Sequence, residues 1–352
     1  MARSRNTADT QTASGGPVSP GIAGKNAIIN GGMDIWQRGT SVAASASTTP
    51  YTADRWQLKN NASQAMTVSR QATNDTTNLP NIQYCARIQR NSGQTGTTVY
   101  YFANQFESVN SIPLAGKTVT LSFYARSGAD FSPTSSLIGV TLYGGTGTDQ
   151  NIITGSYTGG ANIATQNSTL TTTWQRFTMT GTVPATVTEI SVYFAATPTG
   201  TASTNDYMEV TGLQLELGSV ATPFSRAGGT IQGELAACQR YYEKSGVFTG
   251  TPGAAASLGE IWFPNGTIIP GESWQAPRFA VTKRSSPSVT TYSYNGTTSR
   301  AADNNGTDYV ANSAEVWRAD ASGFVIRNAG ASNMTVAAVR WVYCNWAASA
   351  EL

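Results

Sequence analysis

Lys117-Thr118-Val119-Thr120-Leu121-Ser122-Phe123-Tyr124-Ala125-Arg126 puts Val119, Leu121, Phe123 and Ala125 on one face and Thr118, Thr120, Ser122 and Arg126 on the other. Apolar and hydroxyl residues in antiphase with a period of two describe a β-strand with one face in a core. The same alternation recurs in Tyr84, Ala86 and Ile88, and in Ile190, Val192 and Phe194. Between Tyr207 and Leu217 the apolar phase runs through Met208 and Val210, then moves to Leu213, Leu215 and Leu217. A β-bulge near Gly212 explains that switch. Short strands, frequent turn signals and no long helical period predict an all-β chain built on an antiparallel β-sandwich.

Three further blocks accompany Ala115 to Arg126. They are Asn30-Gly31-Gly32-Met33-Asp34-Ile35-Trp36-Gln37-Arg38-Gly39-Thr40, Tyr51-Thr52-Ala53-Asp54-Arg55-Trp56, and Leu213-Gln214-Leu215-Glu216-Leu217-Gly218-Ser219-Val220-Ala221-Thr222-Pro223-Phe224. In this order and at these separations, from Asn26 to Phe224, the blocks resemble the carbohydrate-binding-module-like jelly roll of tailed-bacteriophage fibre proteins. The resemblance implies a virion protein with a jelly-roll fold, acting as a homotrimer. Its N-terminal segment would face the particle and its C-terminal part would face outward. Modules of this kind often hold a structural calcium through acidic residues near the first strand and on the last one. The matching positions are Asp34 and Glu209, although a second glycine follows Asn30-Gly31 where the pattern favours an acidic residue. The other reading makes these two surface carboxylates or partners of Arg38 and Arg55. No other cofactor is implied.

Composition excludes several classes of function. Only 12% of the 352 residues are charged, against about a quarter in ordinary domains. The net charge of +2 comes from scattered Lys and Arg, too little for the electropositive face that nucleic acid requires. Histidine is absent, which removes His-based triads, His-ligated zinc and imidazole acid–base chemistry. Cys85, Cys238 and Cys344 are far apart and odd in number, and read as buried free thiols. No apolar run approaches the ~20 residues of a membrane span, so no membrane insertion is expected. The basic start Met1-Ala2-Arg3-Ser4-Arg5 has no hydrophobic segment after it, so a secretion signal is not expected either.

The chain divides into four parts. Residues 1–24 are rich in Ser, Thr, Gly, Ala and Pro and cannot fold alone. They form either a disordered terminus or an extended arm that docks on other virion proteins. Residues 25–228 hold the jelly roll. Residues 229–240 are a connector, and Glu234 to Lys244 carries apolar spacing that permits a short helix. Residues 241–352 form a smaller β-rich C-terminal domain, the candidate receptor-binding end. It contains Asn265-Gly266, Asn295-Gly296 and Asn305-Gly306, the preferred content of type I′ hairpin turns. Its final strand, Val339 to Trp346, has little polar face and is expected to be buried on both sides, in a core or against a sister subunit.

Sugar binding needs aromatic faces framed by hydrogen-bonding side chains, and the chain has 8 Trp and 15 Tyr. Trp36, Trp56 and Trp174 lie in or beside strand-like blocks and read as core. The ligand-binding candidates are the turn-borne aromatics of the C-terminal part: Trp262, Trp274, Tyr292, Tyr294 and Tyr309. Asp303, Asp308, Glu315 and Asp320 are close in sequence, but a hydrolytic pair needs two carboxylates held in a cleft. The phage enzymes that cut capsule use long β-helices, whose rung periodicity is missing here. Gly144-Gly145-Thr146-Gly147 is followed by no Lys-Ser or Lys-Thr and is not a phosphate loop. No catalytic residue is assigned.

The expected function is that of a non-enzymatic tail fibre, assembled in the host cytoplasm and carried in the virion as a tail or baseplate appendage. It would attach to host cells by multivalent binding of surface polysaccharide. The alternative is a capsid decoration or head-fibre protein with a purely structural role.

Overall fold

The computed structural model describes residues 24–61, 64–246, 248–253, 261–265, 274–293, 295–303, 314–327 and 340–352. The docking arm expected over residues 1–24 lies outside this set except for Gly24, as do Tyr294, Asp308 and Tyr309.

The first part is a sandwich of two antiparallel sheets. Its strands are β1 (Ser41–Ala44), β2 (Trp56–Asn60), β3 (Met66–Ala72), β4 (Tyr84–Arg90), β5 (Tyr100–Gln105), β6 (Thr118–Ser127), β7 (Leu137–Gly145), β8 (Ala161–Thr169), β9 (Gln175–Thr182), β10 (Glu189–Ala196) and β11 (Tyr207–Leu217). A one-turn helix, α1 (Ser108–Ser111), follows β5. One sheet runs β1-β3-β4-β11-β6-β9 and the other β2-β5-β10-β7-β8. As the alternation requires, Val119, Leu121, Phe123 and Ala125 of β6 lie in the core between the sheets. Phe123 meets Phe194 of the facing sheet edge-on at 5.1 Å, and Trp56 stacks on Phe102 at 4.9 Å. Trp36 and Trp56 are fully buried and Trp174 nearly so. The bulge also falls where the apolar phase switches: β11 changes register between Thr211 and Gln214, with Gly212 at φ +60°.

The opposite face of β6 is less open than alternation alone suggests. Thr120 and Ser122 are buried too. Thr120 Oγ1 donates to Gly218 O at 2.8 Å, because the chain after β11 folds back over this face. That return also reaches the Asn30 block, where Arg226 pairs with Asp34 at 2.8 Å. Asn30, at φ +59°, donates from Nδ2 to Ile35 O and Asp54 O, and Trp56 Nε1 donates to Asn30 O. The block is a buried polar clasp, which accounts for its Asn and Gly residues without a ligand.

After Gly228-Gly229, helix α2 (Ile231–Gln239) is capped by Thr230, whose Oγ1 accepts from Gly233 N at 3.1 Å. The helix thus starts and ends earlier than the Glu234 to Lys244 spacing suggests. Buried Glu234 accepts from the backbone N–H groups of Gly228 and Asn30, pinning the helix to the clasp.

The second part is built around β19 (Arg340–Ser349). The C-terminal half of β19 pairs with β12 (Tyr242–Lys244) and β15 (Ser288–Tyr292); the other half pairs with β13 (Ile261–Asn265) and β16 (Ala302–Asp303). A three-stranded sheet, β14-β18-β17, is formed by β14 (Trp274–Gln275), β17 (Glu315–Asp320) and β18 (Gly323–Arg327). The two share a core in which Trp346 contacts Phe279 at 5.7 Å and Phe324 at 5.2 Å. Tyr343 to Ala348 are all buried within the chain. Asn295-Gly296 does sit in a tight hairpin, but Ser293 N bonds to Thr297 O, leaving three residues in the loop, with Gly296 at φ +80°. That is a longer connection than a two-residue type I′ turn. Cys85, Cys238 and Cys344 are buried, and none of them forms a disulfide.

The two parts meet at a seam rich in buried charge. Arg55 and Arg38 both pair with Glu351, and Arg38 also approaches Asp54 at 3.8 Å. The Arg38 guanidinium lies 3.6 Å from the Tyr242 ring centre, and that of Arg55 lies 3.5 Å from the Tyr241 centre. Glu107 takes two bonds from Arg240 and one from the Tyr241 hydroxyl, whose pKa burial pushes up to about 12. Arg284 reaches Asp149 at 2.9 Å while donating to Ala350 O. Such charges are costly to bury alone and tolerable only when paired and hydrogen-bonded, so the seam admits one register of docking.

Candidate functional site

Among the described residues, the three-stranded sheet presents the most exposed tryptophans, Trp274 and Trp317. Its β17–β18 hairpin is closed by Asp320, whose Oδ1 accepts from Ser322 N at 2.7 Å and Gly323 N at 3.1 Å. Phe324 and Ile326 turn inward to the core, which leaves Val325 and Arg327 on the opposite face. Pairing runs Val316 with Ile326, then Arg318 with Val325, so Trp317 is an extra residue in a bulge. A bulge of this kind re-aims a side chain. Trp317 is 43% exposed and meets Trp274, 45% exposed, edge to face at 5.7 Å and 87°. Arg327 lies across the strand from both Trp274 and Glu315, with its guanidinium 3.9 Å from the Trp317 ring centre. Its Nε donates to Glu315 Oε2 at 2.6 Å. An ion pair thus flanks an indole pair that stays partly open to solvent.

The other sequence-derived candidates are not gathered here. Trp262 is exposed on β13 and meets its cross-strand neighbour Tyr343 in a tilted contact at 4.7 Å and 36°. Tyr292 is half-buried opposite Asn345, and its ring lies against Gly253, where an added Cβ would come within 2.8 Å. Among the described residues no ring contact joins Trp262 or Tyr292 to Trp274. Tyr294 and Tyr309 lie outside the described residues. Of the carboxylates, Glu315 is paired with Arg327 and Asp320 is occupied by its turn.

A second aromatic surface, on the outer face of the five-stranded sheet, escaped the sequence reading. Tyr101 of β5, Tyr193 of β10 and Tyr143 of β7 form a diagonal, with ring centres 5.8 Å and 6.2 Å apart. Cross-strand neighbours on this face are Ala195 and Gly139 beside Tyr101, and Thr141 and Thr165 beside Tyr193. The available signal was the residue out of phase with Val192 and Phe194. Trp317 was missed for a different reason, since a bulge interrupts the alternation that would place it.

Asp34 and Glu209 do not pair with Arg38 or Arg55. Asp34 accepts from Arg226 at 2.8 and 3.2 Å. Glu209 is fully buried between Arg87 at 2.6 Å and Arg126 at 2.5 Å. A hard cation wants six to eight oxygens and uncompensated negative charge. Carboxylates already neutralised by guanidinium do not fit a calcium, and among the described residues no three His, Cys, Asp or Glu side chains converge on a metal position.

No protein-family model matches the sequence, and no curated protein matches it. Solved structures do align with the chain. One, described as "CBM4 structure and function", is 18% identical and covers 54% of this chain and 99% of its own, with a TM-score of 0.32. TmCBM61 in complex with β-1,4-galactotriose is 11% identical over 55% of this chain and 99% of its own, with a TM-score of 0.32. The enzymatically active domain of bacteriophage CBA120 tailspike protein 4 is 12% identical over 58% of this chain and 22% of its own, with a TM-score of 0.30.

Proposed function

We propose that the protein is a non-catalytic, glycan-binding fibre component of a tailed-phage particle, with its receptor surface at Trp274 and Trp317. The observation that carries this reading is the pair of exposed indoles held by Arg327 and Glu315. A flat aromatic with polar groups at its rim suits the apolar face of a pyranose and costs little conformational entropy to hold in place. The four sequence blocks that resemble phage fibres supply the particle. On this reading residues 1–24 dock the chain to other virion proteins at the tail or baseplate, and several copies bind host polysaccharide together. The homotrimer rests on the resemblance alone, because Tyr343 to Ala348 already have cover within one chain. Light scattering that finds a monomer at micromolar concentration would overturn it.

Trp274→Ala and Trp317→Ala, each in the full chain, test the receptor surface. Melting should stay near that of the parent, while binding to host cells or isolated surface polysaccharide should weaken by about 1–3 kcal/mol per site. If both variants melt and bind like the parent, the surface is not the receptor end and the decoration role gains. The Tyr101–Tyr193–Tyr143 diagonal favours a second reading, in which the jelly roll itself holds the glycan. Tyr193→Ala would then lose binding where the tryptophan variants keep it.

A further inference from the structure

We infer that the glycan taken by the Trp274–Trp317 surface carries an oxyanion, a uronic-acid carboxylate or a sugar phosphate, seated between Arg318 and Arg278. The inference rests on the glycan reading of that surface and deepens it.

Beside the indoles lies a hollow of about 460 Å³, lined among others by Pro277, Arg278, Arg318, Asp320 and Val325. That volume falls within the ~300–1,000 Å³ of small-ligand sites. Arg318 follows Trp317 directly, with its guanidinium carbon 5.9 Å from the indole centre, so one sugar can touch both. The two arginines that flank Trp317 in space are used differently. Arg327 is engaged by Glu315 at 2.6 Å, whereas Arg318 is exposed and has no carboxylate at ion-pair distance among the described residues. Arg278 is likewise without a carboxylate at that distance; its Nη1 donates to Ser322 Oγ at 2.8 Å.

The single acid lining the hollow, Asp320, is exposed and holds the hairpin turn through one of its two oxygens. Its Oδ1 accepts from Ser322 N, Ser322 Oγ and Gly323 N. Two guanidinium groups therefore share the hollow with one carboxylate, one oxygen of which is taken by backbone and hydroxyl donors. A guanidinium fork matches the paired oxygens of carboxylate or phosphate. An acidic sugar stacked on Trp317 would place its oxyanion where that fork opens.

The test uses the full chain and a panel of acidic bacterial surface polysaccharides, each in native form, after carboxyl reduction and after dephosphorylation. Polysaccharides that bind should lose about tenfold in affinity in one of the two treated forms, and which form loses it tells carboxylate from phosphate. R318Q and R278Q should melt like the parent, bind native polysaccharide about as weakly as its treated form, and lose most of the salt dependence of binding. Equal affinity for native and treated forms overturns the inference while leaving glycan binding intact, and so does discrimination that survives in both variants. Absence of binding to every form overturns the glycan reading itself.

Discussion

Arg55 and Glu351 form a buried ion pair between positions 296 residues apart in the sequence. Arg55 is otherwise held by Gln105 O at 2.5 Å and by the Tyr241 ring, while Glu351 also answers Arg38. Glu351 thus compensates Arg55 and shares Arg38 with Asp54 at the seam. Glu351→Ala should cost about 3–5 kcal/mol, because both guanidinium groups would stay buried without it. Denaturant unfolding measures the loss, and hydrogen exchange along β19 should rise with it. Wild-type stability and protection would remove the seam as the source of docking.

Glu234 gives a pH dependence of defined sign. Burial raises its pKa above the ordinary 4.5, more than the bonds from Gly228 and Asn30 lower it. The proton therefore stays on longer in the folded chain than in the unfolded one. Its contribution to stability is complete below about pH 4.5 and is lost as pH rises through the folded value. Unfolding midpoints taken from pH 4.5 upward should fall less steeply in Glu234→Gln than in the parent. An identical slope would mean that the carboxyl titrates alike in both states.

At Gly31 an added Cβ would lie 2.1 Å from Leu213 O, a backbone atom of β11 that accepts from Asn26 Nδ2 at 2.9 Å. Gly31→Ala should therefore destabilise by about 3 kcal/mol, the upper end of overpacking costs. A melting temperature near the parent's would show that the clasp can shift.

Excess EDTA should leave melting unchanged, since Arg226 already compensates Asp34 and Arg87 with Arg126 compensate Glu209. A drop of several degrees that calcium reverses would return a cation to these positions.

Much of the sandwich was legible because its signals are local. Phe123 and Leu121 declare their face through neighbours two residues away, and the phase slip at Gly212 marks a bulge for the same reason. The site was legible only in part. Trp274 could be proposed as a turn-borne aromatic, yet its partner Trp317 is set by a bulge between Val316 and Arg318 that no alternation reveals. Asp34 and Glu209 were assigned to the wrong partners because Arg226, Arg87 and Arg126 reach them only after the sheets form. Tyr193 lay in plain view, out of phase with a core strand, but its meaning depends on Tyr101 and Tyr143 from neighbouring strands.

The central place of β19 has a consequence for synthesis. Four strands, β12, β13, β15 and β16, take their ladder partners from residues 340–349. None of them can complete that pairing until the ribosome has released this segment, whereas every ladder of the jelly roll lies within residues 41–217. The nascent chain would therefore carry a finished sandwich followed by β12, β13, β15 and β16 waiting for one late partner, an interval in which aggregation competes with closure. Ribosomes stalled shortly before residue 340 should present a protease-resistant N-terminal core with a cleavable tail, and in the released full chain that tail should become resistant as a unit.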